Sequence, residues 1–528
     1  MVMRLVLSLG VLILIVAGVL PVGVMLWQSV VWDGHFTIDA YRGLLDSRGQ
    51  WQLLGRSLTL ATSCAFVSTA WGLTLGLVLG KTDLPLRRTF TVLFTLPLVL
   101  PPYVTAVSWF HILGREGWVA RLLGPNAAIT TSNWLFGLPG CIGVLSSIFT
   151  PVVMLLTIAF ARGVNPRQEE AGRLVASWPQ VLLHVTIPMI VPAVGLGTLL
   201  VFVLALGEFS VPSFLRYSVF PVETFTRFAA FYDFRAATAA ALPLIVLTLL
   251  ALVLERIYLR RKTYILQTGH GTAPLTIGLG RCRRPCLFGV CLLCFVWVLL
   301  PLMVLLSESL APDAYRLALE HAGASLLRSL RYAMVGASIL TIIGLLLGTL
   351  IHDRSFRFWM GVDSMTLFLF AIPGTVLGIG LILLWNRPVT QILYQSSALL
   401  VLGWIAQYSA VTSRITLSAL QHIPPSLGEA ARLAGAGGLR CMICILVPLI
   451  RPGLFVAWLA GFLFCLRDTD LSLLVYPPGR DPLPVRTFTL MANGSPPMIA
   501  ALCVLMIVGT LIPLGLLALT WKGWERKT

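Results

Sequence analysis

The sequence predicts an all-α polytopic membrane protein with about twelve transmembrane helices, arranged as two parallel homologous six-helix halves. Hydrophobic residues make up 57% of the 528 residues and charged residues 11%, with a mean hydropathy of +0.90. Such a chain is too apolar for a soluble domain. Long apolar runs recur along it, and several short motifs occur twice in the same order, about half a chain apart.

Apolar windows of roughly 20 residues predict six spans in each half. The first six fall near residues 5–31, 57–80, 89–113, 137–161, 186–207 and 237–255. The second six fall near residues 287–307, 329–351, 361–385, 396–413, 442–466 and 497–520. The first apolar run is too long for the central region of a signal peptide and ends without a small-x-small cleavage site, so we interpret it as an uncleaved span.

Repeated motifs divide the chain into halves. Arg56-Ser57-Leu58 recurs as Arg328-Ser329-Leu330, Pro97 pairs with Pro373, and Val222–Thr226 returns as Val485–Thr489. We therefore predict a first half over residues 1–262, a basic cytoplasmic linker over 263–284 and a second half over 285–528. Two parallel halves place a pathway at their interface, and rocking of the halves exposes it to either side.

The clearest repeat lies in two polar loops, near residues 166–188 and 425–448. The second loop reads Glu429, Ala430, Ala431, three residues and Gly435, and a proline follows at Pro448. The first is a degraded copy that reads Glu169, Glu170, Ala171, three residues and Val175, with Pro188 after it. A proline before each acidic group favours the start of a helix. Each loop is therefore predicted to present a short helix with small residues on its surface.

These loops resemble the EAA loops of ABC importer permeases, in which they form coupling helices. The chain as a whole resembles the fused two-half iron(III) transport type. Further stretches that carry the resemblance are Leu96–Tyr103, Gly207–Phe214, Pro221–Phe234 and Arg467–Phe488. The resemblance implies the type I ABC importer permease fold and an importer of ferric iron. Thiamine, polyamines, phosphonates and sugar phosphates remain open as substrates.

The same resemblance implies partners and a division of labour. Two copies of an ABC ATPase subunit would dock on the two EAA loops, and a periplasmic or extracellular substrate-binding protein would dock on the other side. The chain would then be no enzyme and would carry no cofactor, because ATP and Mg would be bound by the partner subunits. The residues expected to couple to the ATPase are Glu169, Glu170, Ala171, Val175, Glu429, Ala430, Ala431 and Gly435.

Candidate pathway residues are prolines that interrupt spans and polar groups near the external ends of spans. Freed backbone groups are tolerated only against protein or a water-filled path, and charges at membrane depth are costly. Hard oxygen ligands suit ferric iron in transit, and no stably bound metal is expected. Snorkelling to the interface is an equal alternative for the charged residues. The candidates are Pro97, Pro101, Pro102, Glu208, Tyr232, Asp233, Pro373, Arg467, Asp468 and Asp470.

Arginines in the external loops are candidates for docking the binding protein through acidic groups on its rim. They would equally favour an anionic substrate, and the sequence leaves both interpretations open. The candidates are Arg216, Arg227, Arg235, Arg480 and Arg486.

Basic residues predict the orientation. The chain's lysines, Lys81, Lys262, Lys522 and Lys527, and the densest arginine cluster all lie in loops on the amino-terminal side of the membrane. Both termini and both EAA-like loops are then cytoplasmic, in a multi-pass protein of the bacterial inner membrane. The net charge of +17 fits loops that face anionic lipid of the bilayer, and no nucleic-acid partner is inferred.

Other classes of protein find less support. Gly76 to Thr82 resembles a phosphate loop, but its glycine spacing is one residue short and no strand precedes it. The two Cys-x-x-Cys pairs lie in or beside apolar spans without companion zinc ligands. An ion-coupled secondary transporter also uses parallel repeats, but it needs centrally placed acids, which are scarce here, and has no use for paired docking helices.

Overall fold

The computed structural model describes residues 2–32, 35–260, 275–353 and 359–525. Nine continuous helices in these ranges are long and apolar enough to cross a membrane. They are Leu5–Val30, Arg48–Lys81, Leu138–Gly163, Trp178–Gly207, Phe234–Ile257, Gly280–Ser309, Ala314–Asp353, Gly438–Arg467 and Pro496–Gly515. Each overlaps a span that the hydropathy pattern predicts.

Three further apolar segments are bent pairs of helices. They are Arg87–Val99 with Pro102–Leu123, bent by 100°, Trp359–Ala371 with Gly374–Trp385, bent by 105°, and Pro388–Tyr394 with Ser397–Gln421, bent by 80°. If each pair is one span, the described residues hold up to twelve spans. The predicted all-α polytopic fold is therefore confirmed.

Prolines mark the breaks in the third and ninth spans. Pro101 (φ −56°, ψ 136°) and Pro373 (φ −54°, ψ 137°) each stand immediately before the second helix of the pair, in the same extended conformation. Pro97 instead lies inside the helix Arg87–Val99. The predicted pairing of Pro97 with Pro373 is therefore wrong, and the counterpart of Pro373 is Pro101. Both breaks are buried, which satisfies the requirement that irregular backbone at membrane depth be covered by protein.

Four π-helical turns interrupt the described spans, two in each half of the sequence. They cover Ile15–Val19, Leu182–Thr186, Phe295–Leu299 and Met442–Leu446. In every case a proline is the second residue of the α-helix that follows. Because proline has no N–H to donate to the preceding turn, widening that turn accommodates it without breaking the span.

Shorter helices connect the spans. They are Asp39–Asp46, Pro125–Leu135, Pro166–Arg173, Ser210–Phe214, Phe220–Ala229, Pro425–Leu433, Ser472–Val475 and Leu483–Leu490. The spans Trp178–Gly207 and Gly438–Arg467 each open with a short helix, Trp178–Val181 and Gly438–Cys441. Two short antiparallel strands, Val31–Trp32 and His35–Phe36, follow the first span, with Val31 opposite Phe36. We call Pro166–Arg173 the first loop helix and Pro425–Leu433 the second loop helix.

The chain packs into two compact units. One contains Met1–Ser47, Glu223–Ile245 and Pro312–Thr528, and the other contains Arg48–Val222 and Val246–Ala311. The first span thus packs with spans of the second half: Gly10 lies against Leu346. The span Gly280–Ser309 packs with the first half, where Val290 and Cys294 join a core with Leu79. Hydropathy did not predict this exchange of first helices.

The predicted boundaries at 262 and 285 concern chain order, and they stay predictions. The first part of the proposed linker, residues 263–274, lies outside the described residues.

Within each unit, glycines allow a long helix to approach its neighbour closely. A Cβ at Gly76 would lie 2.4 Å from the Thr157 side chain, and a Cβ at Gly348 would lie 2.9 Å from the Ser413 carbonyl oxygen. Both glycines come five residues before the end of their helix, so Lys81 and Asp353 hold equivalent positions. This equivalence between the halves matters for the loop helices below.

A buried hydrogen bond is also repeated in the two halves. The backbone N–H of Phe220 donates to Ser57 Oγ at 2.9 Å, and that of Leu483 donates to Ser329 Oγ at 2.6 Å. The two serines belong to the repeated Arg-Ser-Leu motif, and each bond fixes the start of a short helix that carries the other repeated motif. The sequence repeat is therefore a structural repeat as well.

Candidate functional site

The first loop helix begins where the sequence predicts a helix start. Pro166 is its first residue, and the Asn165 side chain accepts a hydrogen bond from the Arg167 backbone N–H at 3.1 Å. This is the capping arrangement that asparagine and proline favour. Beyond the helix, the chain turns at Ser177 into the helix and π turn that open the fifth span.

Glu169 faces the protein's own helices. Its Oε2 lies 2.7 Å from Lys81 Nζ, and both side chains are only 1% exposed. Its Oε1 accepts a hydrogen bond from Thr186 Oγ1 at 2.8 Å. The carboxylate therefore ties the first loop helix to the end of the second span and to the π turn of the fifth.

The outer face of the first loop helix carries the other predicted residues. Glu170 and Ala171 are exposed, and Leu174 and Val175, just after the helix, are 88% and 89% exposed. Arg173 donates to the Ala176 carbonyl oxygen at 2.7 Å and stacks over Trp178 at 5.0 Å, which holds the turn after the helix. This face is accessible to another protein.

The second loop helix presents a similar outer face. Glu429 and Ala430 are exposed, Leu433 is 91% exposed, and Ala431 packs inward. The helix ends with Gly435 at φ +81°, and the N–H of Ala436 donates to the Ala431 carbonyl oxygen at 2.9 Å. This left-handed glycine termination is a common way to satisfy the last carbonyls of a helix.

The structure corrects the alignment of the two loops by one residue. In the first loop the closing bond runs from the Ala176 N–H to the Gly172 carbonyl oxygen at 3.0 Å, and this bond spans one residue fewer than its counterpart. Gly172 is thus equivalent to Ala431, which makes Glu170 the counterpart of Glu429. Val175 does not replace Gly435, since the shorter turn contains no left-handed residue.

In the corrected alignment, Gly428 of the second half is the counterpart of Glu169 in the first half. The three polar residues Lys81, Glu169 and Thr186 then correspond to Asp353, Gly428 and Leu446 in the second half. These three residues of the second half line one cavity of about 250 Å³, together with His352 and Glu429. A buried ion pair in the first half therefore corresponds to a cavity in the second.

Glu208 and Asp468 hold equivalent positions directly after a span. Glu208 Oε1 accepts hydrogen bonds from the Ser210 hydroxyl at 2.5 Å and its N–H at 3.2 Å. Asp468 Oδ2 accepts from the same two groups of Ser472, at 2.5 Å and 2.9 Å. Each buried carboxylate thus caps the short helix that follows its span, where negative charge is favourable. Both are occupied by these internal contacts.

Two aromatic side chains complete the surroundings of Asp468. Trp404 Nε1 donates to Oδ2 at 3.1 Å, and the Tyr408 hydroxyl donates to Oδ1 at 2.8 Å. Burial raises the pKa of the Asp468 carboxyl above its usual range, and the hydrogen bonds from Ser472, Tyr408 and Trp404 oppose that rise.

The remaining predicted pathway residues lie in different settings. Tyr232 is exposed at φ +54°, and the exposed Asp233 caps the helix Phe234–Arg260 through the Ala236 N–H at 2.9 Å. Arg467 stacks over Phe464 at 5.1 Å, and Asp470 is half-buried. Pro102 is buried as the first residue of its helix. The described residues hold no group of three or more His, Cys, Asp or Glu side chains suited to a metal ion.

The predicted docking arginines differ in how much they are held by their own chain. Arg227 pairs with Glu223 at 2.7 Å, and Arg486 donates to the His321 carbonyl oxygen at 3.0 Å. Arg235 donates to the Thr37 hydroxyl. Arg216 lies over the Phe136 ring at 5.7 Å, and Arg480 is exposed.

Lys81 and Thr186 were not predicted as partners of the first loop helix, and Asp353 was not predicted to line a cavity beside the second. The sequence predicts Lys81 at the end of the second span but not its contact with a loop, and in the structure it is the last residue of the long helix Arg48–Lys81. One signal was available: aligning the glycines that precede Lys81 with those that precede Asp353 shows a charge reversal at matched positions.

The fold and the paired loop helices define the class of protein. The family model for the binding-protein-dependent transport system inner membrane component matches residues 72–264 and again residues 340–520, and the chain belongs to this family. The two matches show a fused permease of two homologous parts.

Several individual relatives are similar over most of their length. A putative ferric transport system permease protein of Haemophilus influenzae is 24% identical over 476 residues, which cover 85% of this chain and 74% of the relative. A ferric transport system permease protein of Actinobacillus pleuropneumoniae is 23% identical, with 89% and 71% covered. A probable ABC transporter permease protein of Sinorhizobium fredii is 26% identical, with 85% and 83% covered.

Proposed function

We propose that the chain is the membrane subunit of an ATP-driven importer of ferric iron. In this proposal an external binding protein delivers iron, and two copies of an ATPase subunit dock on the two loop helices. ATP and Mg are bound by the ATPase subunits, and this chain performs no covalent chemistry. Both termini and both loop helices face the cytoplasm.

The observation that carries the ATPase proposal is the exposed face of each loop helix. Glu170 with Ala171 and Glu429 with Ala430 occupy equivalent exposed positions, and each pair is followed by an exposed leucine. A small-residue surface with one acid and one protruding apolar side chain suits a shallow cleft in a partner. Two such helices, one in each homologous half, suit two copies of one partner.

The iron assignment is supported by the relatives named as ferric transport permeases, which match 85% and 89% of this chain. The buried acids Glu208 and Asp468 do not add to it, because each serves as a helix cap. Substrate selectivity then rests chiefly with the binding protein. The pathway needs only to let iron pass.

Reconstitution in liposomes with the ATPase and the binding protein tests this function. Uptake is measured for ferric iron, thiamine, spermidine, a phosphonate and a sugar phosphate in parallel, each with and without ATP. We expect uptake of iron alone, dependent on ATP and on the binding protein. Uptake of another compound in place of iron would contradict the iron assignment and leave the importer architecture standing.

A further inference from the structure

The two loop helices are attached to their spans in different ways. In the first half, Lys81 and Glu169 form a buried ion pair at 2.7 Å, and Thr186 bonds the second carboxylate oxygen at 2.8 Å. These residues belong to three separate elements: the end of the second span, the loop helix and the π turn of the fifth span. The three elements are therefore held at one point.

The equivalent residues of the second half cannot form this contact. Asp353 replaces the lysine with the opposite charge, Gly428 has no side chain, and Leu446 has no hydroxyl. All three line the cavity of about 250 Å³ behind the second loop helix. The ion pair is buried and each carboxylate oxygen of Glu169 accepts a hydrogen bond, so breaking this contact is strongly destabilising. Asp353 is instead exposed, at a cavity that opens to solvent.

We propose that Lys81 is a positioning residue that fixes the first loop helix to its spans, so that the two loop helices transmit ATPase movement unequally. The first moves as one body with the second and fifth spans. The second yields against its cavity and depends on the ATPase contact for its position. This inference rests on the proposed function for its transport consequence, but the difference in attachment belongs to the chain alone.

The difference in attachment can be tested by introducing the ion pair and the hydroxyl of the first half into the second half. A Cβ added at Gly428 would meet no heavy atom within 4 Å, and Gly428 has no left-handed backbone, so a side chain can be introduced at this position. The triple variant Asp353→Lys, Gly428→Glu, Leu446→Thr places the first-half residues in the cavity of the second half. It leaves the first half unchanged.

Hydrogen exchange of the full-length chain in nanodiscs, without ATPase, measures the attachment. We expect amides of residues 168–176 to exchange about tenfold more slowly than those of residues 427–436. Lys81→Met should raise the exchange rate of residues 168–176 to that of residues 427–436, and Lys81→Arg should largely restore the slow exchange of residues 168–176. The triple variant should slow the exchange of residues 427–436. Arg316→Gln, which removes ion pairs of a 69% exposed side chain, is the control and should change neither rate.

Equal exchange of the two loop helices in the wild type would overturn the proposal, as would a triple variant that leaves the second rate unchanged. These outcomes do not depend on transport. If the wild type shows the exchange difference but no ATP-driven uptake, the proposed function fails while the difference in attachment stands.

Transport measurements distinguish a positioning role of Lys81 from a role in stability alone. In the reconstituted complex, Lys81→Met should lower the amount of iron imported per ATP hydrolysed about tenfold while ATP hydrolysis continues, because the first loop helix then moves without its spans. Lys81→Arg, and the exchange Lys81→Glu with Glu169→Lys, should recover that ratio. An unchanged ratio in Lys81→Met would overturn the transmission role, even with faster exchange.

Discussion

The Asp468 carboxylate accepts a hydrogen bond from the Tyr408 hydroxyl at 2.8 Å in a buried setting, just beyond the eleventh span. Trp404 and Ser472 donate to the other carboxylate oxygen. These contacts assign Asp468 to holding the end of one span against a neighbouring helix.

Asp468→Ala should therefore destabilise the chain by about 3 kcal/mol, because it leaves buried donors without an acceptor. Thermal unfolding in detergent, followed by size-exclusion chromatography, measures the loss. Asp313→Asn, at a 59% exposed side chain, is the control and should leave the midpoint unchanged. An unshifted midpoint in Asp468→Ala with altered iron uptake would instead make Asp468 a pathway ligand.

Close helix contacts at Gly76 and Gly348 predict matched effects in the two halves. Alanine at either position meets atoms closer than 3.0 Å, so each substitution should cost about 1–3 kcal/mol. Gly361→Ala is the control, because a Cβ there meets nothing within 4 Å and alanine favours the helix. The thermal unfolding midpoints of the three variants are compared, and we expect them to fall for Gly76→Ala and Gly348→Ala but not for Gly361→Ala. Loss of stability at Gly361 but not at Gly76 would contradict the packing described.

The corrected alignment of the loops predicts different roles for Gly435 and Val175. Gly435→Val should strain the left-handed end of the second loop helix by about 1–2 kcal/mol and reduce binding-protein-stimulated ATP hydrolysis. Val175→Gly should have little effect, because the first turn has no left-handed residue. The two variants are compared in the reconstituted complex. A gain of stimulation in Val175→Gly would support the original alignment of Val175 with Gly435.

Hydropathy and composition predict most of the fold. The spans follow from apolar runs of the required length, and the break in the third span follows from its prolines Pro97, Pro101 and Pro102. Pro101 stands at the break, whereas Pro97 lies inside a helix. The exchange of the first helices between the units could not be predicted, since hydropathy describes each segment alone and does not say which neighbour it packs against.

The positions of the two loop helices could be predicted from the sequence, but their relative alignment and their internal contacts could not. The acidic groups, small residues and prolines of the two loops locate both loop helices correctly. Their relative alignment depends on whether a helix ends through a left-handed residue, as at Gly435, or without one, as after Arg173. The contact between Lys81 and Glu169 joins residues 88 positions apart, and the sequence contains no local pattern for it.

The most direct test of the account replaces the exposed acid of each loop helix with lysine, Glu170→Lys and Glu429→Lys, and measures ATP hydrolysis stimulated by the iron-loaded binding protein in proteoliposomes. We expect the stimulation of ATP hydrolysis and iron uptake to fall together in each variant, while Glu320→Lys, at an exposed ion pair away from the loops, behaves as the wild type. Iron uptake that proceeds without ATP and survives both loop substitutions would contradict the account and point to an ion-coupled secondary transporter.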